Sequence, residues 1–128
     1  MTQSPPAAKE IVLVVEDEPL LRMMAADIVE RAGFEVVEAT DAAEAVYILE
    51  TRTDIRIVFT DIDMPGSMNG MRLAAAIRDR WPPIDIIITS GHFRAGELHL
   101  PGRSVFFAKP YDSVALTATL QQMAAQRH

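Results

Sequence analysis

Three carboxylates in this chain are spaced to meet. Glu16 and Asp17 follow five consecutive aliphatic residues, Ile11–Val15, and Asp61 ends a second apolar run within FTDID. Ser90 closes a third run between Thr89 and Gly91, and Lys109 follows a fourth, directly before Pro110. If those runs are parallel strands, their carboxyl ends deliver carboxylates, a hydroxyl and an ammonium to one crevice. Like charges roughly 4 Å apart cost about 4 kcal/mol per pair at an effective dielectric near 20. A divalent cation offsets that cost, and hard oxygen ligands favour Mg²⁺. Metal, lysine and hydroxyl around a nucleophilic carboxylate form a set suited to phosphoryl groups.

The elements that must position these groups follow from the pattern. Apolar runs at 11–15, 34–39, 57–62, 85–90 and 104–108 read as five strands. Between them lie helical segments with recognisable ends. The first has Pro19 in its opening turn and stops at Gly33; the second opens at Asp41 with Glu44 three residues on, a capping-box pattern. The third runs from about Gly70 to Trp81, where Pro82 and Pro83 halt it, and the last starts near Asp112 with Leu116, Leu120 and Met123 on one face. Residues 92–103, HFRAGELHLPGR, predict only a short or irregular fourth helix. Strictly alternating strands and helices imply right-handed crossovers and a parallel sheet covered on both faces. The expected fold is a doubly wound α/β sandwich of order 2-1-3-4-5, whose ligands bind beyond the strand tips at the switch point. Residues 1–9 read as a flexible tail and 10–128 as a single domain.

The net charge of −6 speaks against affinity for nucleic acid or an anionic membrane surface, because phosphates would be repelled. With no cysteine there is neither a disulfide framework nor a thiolate metal site. The N-terminal segment lacks a signal-peptide pattern and no apolar run has membrane-spanning length, so a cytoplasmic location is expected.

From residue 10 to about 125 the chain resembles a response-regulator receiver domain of two-component signalling. The match rests on Glu16-Asp17, on Asp61 forty-four positions after Asp17, and on Met64-Pro65, Gly70, Ser90-Gly91, Phe106 and Lys109-Pro110. The resemblance implies that Asp61 accepts a phosphoryl group from a histidine kinase or histidine phosphotransfer protein. It implies that Asp17, Asp61 and the backbone carbonyl of Asp63 ligate Mg²⁺, with Glu16 assisting through water. Lys109 would pair with the phosphoryl group across a cis bond to Pro110, Ser90 would swing to bond a phosphoryl oxygen, and Phe106 would move inward behind it. A signalling domain that transfers and removes its own phosphoryl group, passing its state to a downstream target protein, is the implied function. Two spacings depart from the family: Pro65–Gly70 is one residue longer than usual, and only sixteen positions separate Ser90 from Phe106. The second implies that the fourth helix and fifth strand do not offer the usual dimerisation face.

Blander readings apply elsewhere. Phe106 and Phe107 alternate across a strand, so at least one is core. Met23, Met24, Met64, Met68 and Met71 read as packing; His92, His99 and His128 as loop or tail residues; Arg72, Arg78 and Arg80 as a solvated helix face. Glu18 is expected to point along the start of the first helix, outside the site. The Asp-x-Asp shape of DIDMP also suits a haloacid-dehalogenase-like phosphatase, although that motif normally closes the first strand of a longer chain. A flavin binder on the same fold would require a phosphate cradle where EDEPL stands. Short flanks fit a stand-alone switch, with a receiver fragment of a hybrid kinase or larger regulator as the competing reading.

Overall fold

The computed structural model describes residues 9–64 and 69–126. The five aliphatic-rich segments form β1 (Ile11–Val15), β2 (Glu35–Ala39), β3 (Ile55–Asp61), β4 (Asp85–Ser90) and β5 (Ser104–Ala108). All neighbours pair in parallel, and the sheet order is β2-β1-β3-β4-β5. β1 and β4 are buried along their whole length, as continuous apolar strands between two helical layers must be.

One core layer lies under α2 (Ala42–Thr51) and α3 (Gly70–Arg80), where Ala45, Leu49, Leu73 and Ile77 meet Leu13, Val58, Ile86 and Ile88. The other lies under α1 (Pro19–Arg31) and α4 (Ser113–Ala125), where Val29, Leu116 and Leu120 meet Val12, Val14, Phe59 and Ile87. Phe106 packs against the first layer and Phe107 against the second, so both rings serve the core.

The helix ends behave as their residues dictate. Asp41 accepts the Glu44 amide at 2.8 Å, while the Glu44 carboxylate accepts from the Thr40 amide at 2.9 Å, one residue earlier than a standard capping box. Asn69 and Asp112 cap α3 and α4 through their side chains. Gly33, at φ 102, supplies the left-handed turn that ends α1.

Two differences from expectation have clear causes, and one expectation is met. β3 starts at Ile55, two residues early, because the register shifts between Ile11 and Val12 and leaves the polar, exposed Arg56 opposite the irregularity. The fourth helical segment is short, as expected, a 3-10 turn at Ala95–Glu97. The arginines of α3 are also more than a solvated face. Arg78 donates to the carbonyls of Pro82, Ile84, Gly102 and Arg103, fastening α3 to the loop that enters β5. Arg80 pairs with Glu50 at 2.7 Å and stacks on Trp81. The expected N-terminal tail, the longer loop after Met64, Met68 and His128 lie wholly or mainly outside the described residues.

Candidate phosphoryl and metal site

The parallel register brings the strand ends level. Val15 stands beside Ala39 and Thr60, Asp61 beside Thr89, and Ser90 beside Ala108. Backbone bonds continue the ladder past the last residues: the Ile62 amide donates to Thr89 O and the Lys109 amide to Ser90 O, at 3.0 and 2.8 Å. Groups far apart in the chain therefore share one edge of the sheet.

Glu16, Asp17 and Asp61 each offer a carboxylate oxygen, and these atoms lie within 4.8 Å of one another. Glu16 and Asp61 are buried. The Lys109 ammonium enters between them, 3.2 Å from Glu16 Oε1 and 3.1 Å from Asp61 Oδ2. The remaining oxygens are also held: the Glu18 amide donates to Glu16 Oε2 at 3.1 Å, and the Asp63 amide donates to Asp61 Oδ1 at 3.0 Å. Arg22 on α1 donates to Glu16 O and pairs with Glu38, tying the tip of β1 to β2. Gly70 makes the close approach of α3 possible, since a Cβ there would stand 2.4 Å from Asp61 O and 2.5 Å from Ile62 Cα.

The electrostatics match the geometry. Burial, reinforced by the Asp61 charge, raises the Glu16 pKa above its ordinary value against the opposing pull of the Glu18 amide and Lys109. Burial alone would lower the Lys109 pKa, but Asp61 and Glu16 raise it above the usual lysine value. Three carboxylates against one ammonium leave two negative charges at the strand ends. Oxygen donors gathered within 4.8 Å around that surplus fit a divalent cation. The cleft above them encloses about 300 Å³ and is also walled by Glu18, Leu21, Gly91 and His92.

The structure therefore gathers Glu16, Asp17, Asp61 and Lys109, and the Lys109–Pro110 bond is cis. Ser90 stands next to this group, but its hydroxyl is bonded to Asp63. Phe106 is half-buried against the α2–α3 layer rather than in the cleft. Sequence reasoning missed the side chain of Asp63. Its carboxylate accepts from Ser90 Oγ at 3.0 and 3.1 Å and from the Gly91 amide at 2.8 Å, with His92 Nδ1 at 3.1 Å. Burial would raise the Asp63 pKa, yet the Gly91, His92 and Ser90 contacts together hold it below its ordinary value. The second aspartate of Asp-x-Asp was the available signal for this role, whereas nothing local marks Arg22. Glu18, expected to stand outside the site, caps α1 through its backbone and lines the cleft, because the turn that lets its amide reach Glu16 also brings it there.

A doubly wound sheet with carboxylates, lysine and hydroxyl at its switch point defines a class of phosphoryl-handling signalling domains. The chain belongs to the response regulator receiver domain family, whose model matches residues 12–121. It is 34% identical over 108 residues to the response regulator protein FleR of Pseudomonas aeruginosa, which covers 82% of this chain and 22% of FleR. It is 35% identical over 118 residues to the chemotaxis protein CheY of Thermotoga maritima, covering 88% of this chain and 96% of CheY. The chain thus spans about a fifth of the first relative and nearly all of the second. The solved structure of a response regulator receiver protein from Sinorhizobium medicae superposes with a TM-score of 0.84 at 26% identity, covering 94% of this chain and 98% of that one. The chain is a receiver domain of two-component systems, and the phosphatase alternative is not supported.

Proposed function

We propose that Asp61 is the phosphoacceptor, taking a phosphoryl group from a phosphohistidine on a histidine kinase or phosphotransfer protein. The observation that supports this reading best is the convergence of buried Asp61 with Lys109, Glu16 and Asp17 in one cleft. A carboxylate oxygen of Asp61 bonds to phosphorus as the donor's N–P bond breaks. The electron pair stays on the imidazole nitrogen, which takes a proton from water. The product is an acyl phosphate. Hydrolysis by water would later return the carboxylate and release inorganic phosphate, the domain's own dephosphorylation.

Mg²⁺ would be held by Asp17, Asp61 and the Asp63 carbonyl, with Glu16 assisting through water, and when bound it would neutralise phosphoryl charge. Lys109 serves the same charge from the other side. Ser90 would then donate to a phosphoryl oxygen, with Phe106 following inward, and that displacement would be read by a downstream target protein. A groove of about 420 Å³ adjoins the cleft between α1 and the residues after β5, lined by Leu21, Met24, Ile28, Pro110 and Tyr111 and sharing Glu16 and Lys109. Leu20 and Met23 are exposed on the same helix. That apolar surface beside the acceptor suits the helix of a phosphodonor protein. Among the described residues no helix is long and apolar enough to cross a membrane, and we place the domain in the cytoplasm. It acts either as a stand-alone switch or as the receiver segment of a larger regulator or hybrid kinase.

Incubation with Mg²⁺ and acetyl phosphate should add one phosphoryl group per chain, seen by intact mass. Chelation of Mg²⁺ or Asp61→Asn should abolish it. Labelling that persists unchanged in Asp61→Asn overturns the assignment.

A further inference from the structure

Resting on that reading of Asp61, we propose that the Asp63 carboxylate is a latch, holding Ser90, Gly91 and His92 until a phosphoryl group on Asp61 takes the Ser90 proton from it. The hydrogen-bond inventory of Ser90 makes the two states exclusive. Its hydroxyl has one proton and two lone pairs. The proton goes to the Asp63 carboxylate, and the oxygen accepts from the amides of His92 and Phe93, both at 3.0 Å. Ser90 is fully buried, so no exposed rotamer adds capacity. A bond from Ser90 to an oxygen on Asp61 therefore requires the bond to Asp63 to break.

Asp63 also lies on the chain between Asp61 and Ser90 and is bonded at both ends. Its own amide donates to Asp61 Oδ1, while its side chain grips the end of β4 through the Gly91 amide at 2.8 Å. New charge on Asp61 acts on Asp63 twice, by competing for the Ser90 proton and by repelling its carboxylate. An equilibrium moves only as far as a ligand distinguishes its two states, and here the phosphoryl group contacts Ser90 in one state alone. Asp63 is a positioning residue in this scheme, setting how much of the transfer energy the switch consumes.

The test reads backbone amide shifts and hydrogen exchange of Gly91, His92 and Phe93 by NMR, with labelling followed by intact mass under Mg²⁺ and acetyl phosphate. In the wild-type chain, labelling should move all three signals and speed their exchange about 10-fold. Unlabelled Asp63→Ala should already show these signals displaced in the same direction. Asp63→Asn, neutral and of the same shape but still offering one acceptor oxygen, should fall between the two, and it carries the test should the alanine variant not fold. Labelling with all three amides unmoved overturns the latch and leaves the phosphoacceptor intact. Equal displacement in the Asn and Ala variants also overturns it, because lost charge rather than lost hydrogen bonds would then be the cause. Absence of labelling in the wild-type chain overturns the phosphoacceptor, and the latch with it.

Discussion

Lys109 Nζ lies 3.2 Å from Glu16 Oε1 across 93 residues of sequence, and the same ammonium is 3.1 Å from Asp61. One cation thus sits between two buried carboxylates. Lys109→Ala should leave them facing each other without it. The metal-free protein is expected to lose about 1–3 kcal/mol of stability, less than a fully buried pair because Lys109 remains partly solvated. Urea denaturation with and without Mg²⁺ checks this. The loss should shrink when Mg²⁺ is added, and an equal loss in both conditions would show that the ammonium does not compensate the carboxylates.

The pH dependence has a fixed sign. The folded pKa of Glu16 is raised above its unfolded value, so its contribution to stability is fully present below the ordinary glutamate range and is lost as pH rises through the raised value. A divalent cation needs the ionised carboxylate, so Mg²⁺ affinity should fall as pH drops from neutrality through that value, with proton release on binding at the lower end. Calorimetric titration in two buffers of different ionisation enthalpy measures both. Lys109 has the same sign at the alkaline end: its contribution is fully present below the usual lysine value and is lost as pH rises from there through the raised one.

Gly70→Ala should disturb the site without touching a charged group. The added methyl would meet the carbonyl of Asp61 and the backbone of Ile62, neither of which is the free end of a flexible side chain. A loss of about 1–3 kcal/mol is expected, with slower acetyl phosphate labelling than in the wild-type chain. Wild-type labelling in a destabilised variant would show that Asp61 tolerates a displaced α3.

The strand count, the sheet order and the four carboxylate and lysine positions were legible because each depends on local pattern. Five aliphatic runs fix the strands, and parallel winding then brings their last residues together whatever the loop lengths. The edge of β3 is not legible because Arg56 interrupts the continuous apolar run where the register itself shifts. The roles of Arg22, Arg78 and the Asp63 side chain were not legible. Each depends on where a long or rotatable side chain lands after folding, and each meets backbone groups, which every sequence carries alike. The sequence pattern places His92 in a loop and it is largely exposed, yet its ring reaches Asp63 because the turn after β4 folds back over Ser90.

The stretch from Gly91 to Arg103 has little helix of its own; Leu98 and Leu100 rest on the core, and hydrogen bonds tether its two ends. Asp63 secures its beginning, and the guanidinium of Arg78 secures its end. On the proposed latch, releasing the first would leave the second tied to α3, so the start of the segment could shift while β5 stays paired with β4. On the proposed role of Asp61, a chemical event there would be relayed to the outer surface of the domain while the sheet keeps its strand order.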